Sequence, residues 1–559
     1  MLSSQNQSWL DGFIERTGRA PRVLHIGNIA NNAYNNAKIL NEAGLENHVI
    51  CYDCYHIMAC PEWEDADFPE FTGDQFRPEW HRLELNGFQR PRWFIQGPLK
   101  LCLRAFDSMM RNRPEVTELQ RDCLKASGYL PLTIEAKQGL HQFKALCFLL
   151  PSRRMLLDCL KNKVPKLHRV LRWSFQKAFK PLLWLSSVRH SELSKRINSE
   201  FSQEFRHVSA LKSAEYSQEF QAGCRLQRQD FCPRGKVSLD DMLPYFGITK
   251  NWDTEVFKHV DLIVGYSTDP LLPLICGKDF FAFEHGTIRE IPYQDSSQGR
   301  LTALAYRKAT HVFVTNFDCR SSAEFLAPSR FTMINHPFDE DHGKKVTGWE
   351  DLRRKLQHEL DSDHLLFHPT RQDWVEGTGY ADKANDVFLK AFCALRSQGL
   401  KIGLVCCEWG NNVSASKQLV AQEKCSRYVK WVQPLPVVAF ERTCLACDIV
   451  VDQFKLGSFG GVLFKAMAVG RPILTFLDEK QVLNQYAECP PVINCRTQQG
   501  ITDALLRVLS RSNELERLGK LSRDWITKHH GKAATVNAQV DQFRLFDLSK
   551  RERSKDSSS

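Results

Sequence analysis

Residues 447–472, CDIVVDQFKLGSFGGVLFKAMAVGRP, contain the strongest indication of the fold. The apolar run Asp448–Asp452 predicts a buried strand, and Gly457–Ala468 predicts a glycine-rich loop that leads into a helix. Exposed N–H groups in such a loop and at the start of its helix form a site for a diphosphate. The alternative is a tight turn without a ligand, which glycines alone permit. The candidate amides are those of Ser458, Phe459, Gly460 and Gly461.

Predicted strands and helices alternate on both sides of residues 447–472, and this alternation predicts two α/β domains in tandem. The other strands predicted for the second domain are Leu365–His368, Ile402–Cys406, Val429–Val432 and Pro472–Phe476, with helices at Asp386–Leu395 and Phe440–Ala446. Those predicted for the first domain are Arg22–Gly27, His48–Tyr52, Val260–Gly265, Phe280–Phe283 and Thr310–Thr315, with helices at Ala33–Ala43 and Leu301–Lys308 and a last strand with its linker in Phe331–Asp339. Two such domains create a cleft between the loops at the carboxyl edges of their strands, which is the usual ligand site.

The segment Gly457–Pro472 resembles the donor-binding signature of retaining glycosyltransferases with two Rossmann-like domains, the GT-B class of group 1 or family 4. That signature is roughly E-G-F-G-x-x-x-x-E-A-M-A-x-G-x-P. Seven positions of the chain fit it: Phe459, Gly460, Ala466, Met467, Ala468, Gly470 and Pro472. The resemblance extends over about residues 260–530 and, less fully, over 20–53. It implies transfer of a sugar from a nucleotide-diphosphate sugar, with retention of configuration and without a cofactor or metal.

The two glutamates of the signature are absent from this chain. Gly457 and Lys465 stand where the family has glutamates, of which the first contacts the transferred sugar and the second grips the ribose hydroxyls. A charged lysine cannot accept hydrogen bonds. Lys465 therefore implies either that ribose recognition is rebuilt or that the lysine meets phosphate instead.

A pair of cations precedes the signature in the second domain. Arg371 follows the predicted strand Leu365–His368, and Lys383 precedes the next predicted helix. The pair resembles the family's arginine and lysine that neutralise the leaving diphosphate, although residues 374–382 lengthen the spacing here. Two fixed cations can stabilise the charge that develops as the diphosphate leaves. The alternative is two cations on a solvated loop.

A histidine and a glutamate end a strand of the first domain. Glu284, His285 and Gly286 follow the apolar run Phe280–Phe283. They resemble a family turn in which the histidine lies near the reacting sugar, so His285 is a catalytic candidate. Glu284 is a second candidate, either to orient His285 or to act as a base; a lone histidine is otherwise more often structural.

Three weaker signals complete the resemblance. Asn28 lies in an asparagine-rich loop at the place of the family's first glycine-rich loop, which borders the donor phosphate, and asparagine tolerates positive φ there. Gly265–Pro270 resembles a strand-end turn that lines the cleft, or is simply an Asp-Pro turn that begins a helix. Ile334–Asp339 resembles the linker between the two domains.

The charge of the chain is concentrated in one block. The 559 residues carry a net charge of +10, and residues 141–190 alone contain eleven basic side chains and one acidic one. Within this block, 165–180 predicts a helix with an apolar arc opposite a basic arc. Such a helix is typical of an anchor on an anionic membrane surface, or it packs on the protein with its charges solvated. No nucleic-acid motif accompanies the charge, so nucleic acid is not expected as a partner.

The amino-acid sequence also predicts the cellular compartment. No signal peptide and no apolar run long enough to span a bilayer is found, and the 19 scattered cysteines favour reduced, buried thiols. We therefore expect a cytoplasmic protein, peripheral on the inner face of the cell membrane if residues 141–190 bind lipid. The predicted parts are a first domain at 1–335 with a helical insertion at about 98–220, a second domain at 336–515, closing helices at 516–547 and a disordered tail at 548–559.

The sequence thus predicts a glycosyltransferase that moves a sugar onto a hydroxyl of a glycan or lipid-linked acceptor. One alternative is a protein of the same fold with a degenerate donor pocket that binds a glycan or a partner, which the departure at Lys465 motivates. Another is a different reaction on the same fold, such as that of a sugar epimerase or phosphorylase.

Overall fold

The computed structural model describes residues 1–131, 237, 241, 252–375, 382–457, 460–484 and 486–556. Its strands form two parallel sheets, so the predicted α/β fold with two Rossmann-like units is confirmed. Several predictions lie outside these residues. They are the basic helix at 165–180, the block at 141–190, most of the insertion at 98–220, and Ser458 and Phe459.

The first sheet has seven strands in the order β3-β2-β1-β4-β5-β6-β7. The strands are β1 (Arg22–Ile26), β2 (Glu46–Tyr52), β3 (Phe94–Gly97), β4 (Leu262–Tyr266), β5 (Phe281–Glu284), β6 (His311–Val314) and β7 (Phe331–Met333). Around this sheet lie α1 (Ser4–Thr17), α2 (Asn32–Glu42), α3 (Pro61–Asp65), α4 (Leu99–Met110), α5 (Val116–Ala126), α6 (Leu271–Ile275), α7 (Ser297–Lys308) and α8 (Arg320–Leu326). In the centre of the sheet, Val23 of β1 lies between Asn47 and Leu262, which sets the register.

The second sheet has six strands in the order β10-β9-β8-β11-β12-β13. The strands are β8 (His364–His368), β9 (Ile402–Cys407), β10 (Val429–Val432), β11 (Ile449–Val451), β12 (Ile473–Thr475) and β13 (Ile493–Asn494). The helices of this half are α9 (Trp349–Glu359), α10 (Asn385–Ser397), α11 (Val413–Gln422), α12 (Val437–Ala446), α13 (Gly461–Ala468), α14 (Glu479–Leu483), α15 (Gln498–Leu509) and α16 (Ser512–His530). In both sheets the order of the strands reverses beside the first strand of the half, and such a reversal opens a crevice at the carboxyl edge.

The last helix, α17 (Lys532–Asp556), returns from the second half to the first sheet. Its buried side chains Val540 and Phe543 share a core with Val23 of β1 and Trp9 of α1. Burial of this apolar face stabilises the long helix. The prediction of a disordered tail from residue 548 is therefore wrong as far as Asp556, because the helix continues through that charged stretch.

Most of the predicted strands are present within one or two residues of their expected ends. The sequence did not indicate β3, which pairs with β2 through Ile50 and Ile95 at the edge of the first sheet. The aromatic and polar residues around Phe94–Gly97 give no strand alternation, because all four strand residues are buried. Helices α4 and α5 agree with the helical character expected from about residue 98.

Two further observations concern solvent and compartment. Within the described ranges, no helix combines the length and the apolar character that a bilayer span requires. The cysteines that the structure describes are all free, and most are buried, including Cys406 and Cys447.

Candidate functional site

The glycine-rich loop leads into α13 at the carboxyl edge of the second sheet. Asp452 directly follows β11, and Gly460 lies against its carboxylate so closely that a Cβ at Gly460 would be 2.5 Å from Oδ2. Gly461, the first residue of α13, faces open space instead. The start of α13 is thus placed where the sequence predicted a diphosphate site, with only Gly460 and Gly461 of the four candidate amides within the described residues.

The two predicted cations lie beside this helix start. Thr370 and Lys383 belong to the loops next to Asp452, and the Thr370 hydroxyl donates to Asp452 Oδ1 at 2.9 Å. Lys383 Nζ donates to the neutral amide oxygen of Gln453 at 2.7 Å, and no described carboxylate pairs with it. Burial lowers the pKa of Lys383, the neighbouring charge of Arg371 lowers it further, and the Asp452 carboxylate opposes both effects. A cation in this position gains from an added anion.

Arg371 is the more accessible member of the pair. Its guanidinium is 3.5 Å from Asp373 Oδ2 and lies over the ring of Trp409, with 41% of the side chain exposed. Asp373 is itself held by the backbone N–H of Asn411, which donates to Oδ1 at 2.7 Å. Arg371 is therefore partly accessible to a ligand from solvent.

A buried network fixes these loops to the sheet. Burial lowers the pKa of His368 to about 4, so the imidazole is neutral and donates from Nδ1 to the carbonyl oxygen of Val451 at 3.0 Å. Its Nε2 accepts from Asn385 Nδ2 at 2.9 Å, and Asn385 Oδ1 accepts from the backbone N–H of Asp373. The network joins β8, β11 and α10, so the arginine loop and the lysine loop are held by one set of contacts.

His285 lies at the carboxyl edge of the first sheet, as predicted, and is half-buried. Its Nε2 is 3.3 Å from Asn32 Nδ2. Burial lowers the pKa of His285 to about 4, and the charge of Arg289 acts in the same direction. At neutral pH the imidazole is therefore uncharged.

Glu284 does not perform the predicted orienting role. Its side chain is fully buried, and Oε1 accepts from the backbone N–H of Ile288 at 3.2 Å, which shapes the turn that carries His285. Burial raises the pKa of Glu284 to about 7. No hydrogen bond between Glu284 and the His285 ring is found among the described contacts, and Asn32 contacts that ring instead.

Asn28 also differs from its predicted use. Its side chain is 2% exposed: Nδ2 donates to Asn31 Oδ1 and to the carbonyl oxygen of Ala59, and Oδ1 accepts from the N–H of Tyr34. The polar atoms of the side chain thus hold the loop in shape. The positive φ angles expected in this loop occur at Ala30 (47°) and Asn31 (54°) rather than at Asn28.

The turn Gly265–Pro270 is an Asp-Pro turn that begins a helix. Tyr266 is fully buried, and its hydroxyl contacts His25 and Asn36 rather than the cleft. Pro270 directly precedes α6, which is the Asp-Pro turn and helix start that the sequence offered as the alternative.

Lys465 meets a carboxylate of the other half of the molecule. Its Nζ donates to Glu64 Oε1 of α3 at 3.1 Å. The charge of Lys465 is thus paired within the protein. The second departure has a backbone cause: Gly457 has φ +69°, and an added Cβ would be 3.0 Å from Asp478. A glutamate at this position would be strained.

A cluster of charged side chains joins the two halves beside Lys465. His342 Nδ1 donates to Glu441 Oε2 of α12 at 2.6 Å, and its Nε2 is 3.4 Å from Asp65 Oδ1 of α3. Asp65 also accepts from Lys38 and from the Tyr34 hydroxyl. We call His342, Asp65, Glu441, Lys38, Glu64 and Lys465 the interdomain ion cluster. The cluster could not be predicted from the sequence, since its members are distant in the chain.

Helix α13 connects the groups of the site. At its start Gly460 lies against Asp452, one turn later the Phe464 ring is 6.1 Å from the ring of His336, and Lys465 reaches Glu64. His336, in the predicted linker, is 5.0 Å from His285 between ring centroids. The structure thus brings the glycine-rich loop, Arg371, Lys383 and His285 to facing edges of the two sheets. It adds Asn32 and His336, which the sequence analysis did not select.

Similarity to known proteins is found among solved structures and not among curated sequences. No protein-family profile and no curated protein sequence matches the chain. Among solved structures, HepE of Anabaena in complex with UDP and glucose is 14% identical, with 54% of this chain and 82% of HepE aligned at a TM-score of 0.43.

Two other solved structures give comparable values. Sucrose-phosphate synthase from Thermosynechococcus elongatus is 14% identical over 55% of this chain and 79% of its own, with a TM-score of 0.40. A glycosyltransferase from Rickettsia africae is 11% identical over 55% and 80%, with a TM-score of 0.40. These matches concern the fold, and no function follows from them.

Proposed function

We propose that the protein is a glycosyltransferase that moves a sugar from a nucleotide-diphosphate sugar to a hydroxyl of a glycan or lipid-linked acceptor. The observation that carries this proposal is the pair Arg371 and Lys383 beside the start of α13. Lys383 has no carboxylate partner among the described residues and is disfavoured as a cation by burial. A diphosphate adds negative charge next to Lys383 and favours its charged form beyond the effect of Asp452, and backbone amides at the start of α13 add to its binding.

The reaction proposed for this site needs three groups. Arg371 and Lys383 stabilise the charge that develops on the departing nucleotide diphosphate, so that metal is not required for this step. His285, neutral and half-buried on the facing edge, belongs near the reacting sugars in this proposal through the sequence resemblance. A hexose as the transferred sugar and retention of its configuration belong to the proposal through the sequence resemblance.

The Arg371→Ala variant tests the diphosphate assignment. In calorimetric titrations with UDP, GDP and ADP, we expect the unmodified protein to bind at least one of them. The variant should bind that nucleotide about tenfold more weakly or worse, because a charge-assisted hydrogen bond contributes about 1.5–3 kcal/mol.

The matched control is Lys401→Ala, an exposed cation directly before β9 and thus at the opposite edge of the same sheet. This variant should bind as the unmodified protein does. Equal affinity of Arg371→Ala and the unmodified protein would contradict the assignment of Arg371.

A second candidate function is favoured by the contact between Lys465 and Glu64. With its charge paired across the two halves, Lys465 occupies the place of the family's ribose-binding carboxylate without offering an acceptor. A protein of this fold that binds a glycan or a partner, without a donor, would have such an arrangement. Absence of binding for all three nucleotides would favour this function over transfer.

We further propose that residues 141–190 attach the protein to an anionic membrane surface on the cytoplasmic side. The support is the sequence: eleven basic side chains and one acidic one in fifty residues. We expect sedimentation with vesicles that contain phosphatidylserine, release at high salt, and no sedimentation with phosphatidylcholine alone. Deletion of 141–190 should abolish vesicle binding while nucleotide binding is retained; vesicle binding that survives this deletion would refute the assignment.

A further inference from the structure

A polar cluster on the first-domain side of the cleft is not explained by nucleotide binding. It consists of Asn32, His285 and His336, which come from the start of α2, the end of β5 and the segment that links the two halves. The amide of Asn32 lies between the two imidazoles, with Nδ2 3.3 Å from His285 Nε2 and Oδ1 3.3 Å from His336 Nδ1. Both histidines are half-buried.

The orientation of the Asn32 amide is set by its other contacts. Its Nδ2 donates to the carbonyl oxygens of Ile29 at 3.0 Å and Ala30 at 3.3 Å. Carbonyl oxygens only accept, so the amide nitrogen must face them and Oδ1 must face His336. The orientation of the amide then determines where each imidazole carries its proton.

His336 Nδ1 must donate, because its partner Asn32 Oδ1 can only accept. Burial lowers the pKa of His336 to about 3, and the adjacent His285 contributes in the same direction, so the ring holds a single proton at neutral pH. That proton is on Nδ1, which leaves the lone pair on Nε2. By the same logic His285 accepts at Nε2 and carries its proton on Nδ1. Asn32 thus fixes both tautomers.

The ring of His336 lies close to helix α13. The ring of His336 is 6.1 Å from the ring of Phe464, which is three residues beyond the first residue of α13. Three residues of helix span about 4.5 Å along the axis. His336 therefore packs beside the middle of the same helix whose first amides are proposed to bind the diphosphate.

We propose that His336 binds the acceptor: its Nε2 accepts a hydrogen bond from the acceptor hydroxyl, and Asn32 is the positioning residue that keeps that nitrogen unprotonated. The ligand class is a sugar or other polyol hydroxyl. This inference rests on the proposed glycosyltransferase function for the identity of the acceptor, but the tautomer that it requires does not depend on that function.

The first test measures the tautomer directly. In solid-state ¹⁵N spectra of histidine-labelled protein at pH 7, the signals lost in the His336→Phe variant should be one protonated Nδ1 and one unprotonated Nε2. In Asn32→Leu, the same signals should move toward a mixture of tautomers. A protonated Nε2 on His336 in the unmodified protein would overturn the proposal, whether or not a donor is ever found.

The second test measures acceptor use. With a nucleotide-sugar chosen by the calorimetric screen and a panel of p-nitrophenyl glycosides as acceptors, His336→Phe should lower kcat/KM for the acceptor about tenfold, the value for one lost hydrogen bond. His336→Gln, whose amide oxygen can accept, should recover part of it. Nucleotide affinity should be unchanged in both variants, and the exposed His358→Phe serves as the control.

The outcomes separate the two hypotheses. If nucleotides bind and depend on Arg371 but transfer is the same in His336→Phe, the acceptor assignment fails alone. If no nucleotide binds, the proposed function fails. The shift of the His336 Nε2 signal on addition of methyl glucoside then decides whether this cluster receives hydroxyl groups, and an unmoved signal overturns the assignment.

Discussion

Replacement of Arg90 by methionine lowers the free energy of unfolding by about 3–5 kcal/mol, the usual cost of leaving a buried charge without its partner. Arg90 and Glu62 form a bidentate pair, with both N–O distances 2.8 Å and side-chain exposures of 2% and 0%. The remaining guanidinium nitrogen donates to Gln96 and Ser127. In the variant, the Glu62 carboxylate stays buried and loses two charge-assisted hydrogen bonds.

The measurement is urea unfolding followed by tryptophan fluorescence. The double variant Arg90→Met with Glu62→Gln should recover part of the loss, because it removes the unpaired charge as well. Arg82→Met is the matched control: Arg82 pairs with Glu79 at the surface, where the exposures are 67% and 52%, and its removal should change stability by about 0.5 kcal/mol or less. A loss of the same size in both single variants would show that Arg90 and Glu62 are not coupled as described.

The pair also supports the site. Glu62 lies on the short helix α3 between the buried Pro61 and the residues Glu64 and Asp65, which contact the second half of the molecule. Arg90 ties this helix to β3 through Gln96. Loss of Arg90 is therefore expected to loosen the interdomain ion cluster as well as the first domain.

The second large effect is expected at His342. Burial alone would lower the pKa of His342, but hydrogen bonds with Asp65 and Glu441 raise it to about 10. The folded protein therefore holds a proton that the unfolded chain, with an ordinary histidine near 6.5, releases first. The contribution to stability is complete below about pH 6.5 and is lost as the pH rises toward 10.

We expect His342→Gln to lower the free energy of unfolding by about 2–3 kcal/mol at pH 6, below the full value for a buried pair because 18% of the side chain is exposed. The variant and the unmodified protein should converge as the pH rises to 10. Urea midpoints at pH 6, 7, 8, 9 and 10 measure this, with the exposed His358→Gln as the control. A difference that is constant over this range would show that the proton on His342 does not stabilise the fold.

Several features of the fold and site could be predicted from short stretches of sequence. The strand Ile449–Val451, the glycine turn and the helix from Gly461 are encoded by an apolar run, by glycines and by helical periodicity that are all within thirty residues. Arg371, Lys383 and His285 could be selected because each follows or precedes a predicted strand or helix, and parallel strands bring their carboxyl ends to one edge. These are local signals combined with one rule of topology.

Other features could not be predicted because they depend on contacts between distant residues. The edge strand β3 forms only because β2 offers it a partner. Glu284 and Asn28 have the right residue type and position, yet the surrounding fold buries their polar atoms in turn and loop contacts. His336 lies in the predicted linker, and only the tertiary structure shows that its ring is beside His285 and Phe464.

Two parallel α/β units, the glycine-rich start of α13 and the positions of Arg371 after β8 and Lys383 before α10 could be predicted from the sequence alone, because periodicity, backbone freedom and strand ends are local properties. The partner of Lys465 could be identified only from the tertiary structure. Its partner Glu64 lies 401 residues away, and charges attract by distance in space rather than in sequence. The same reason explains why the contacts of His342 and Asn32, whose partners are also distant in sequence, could not be predicted.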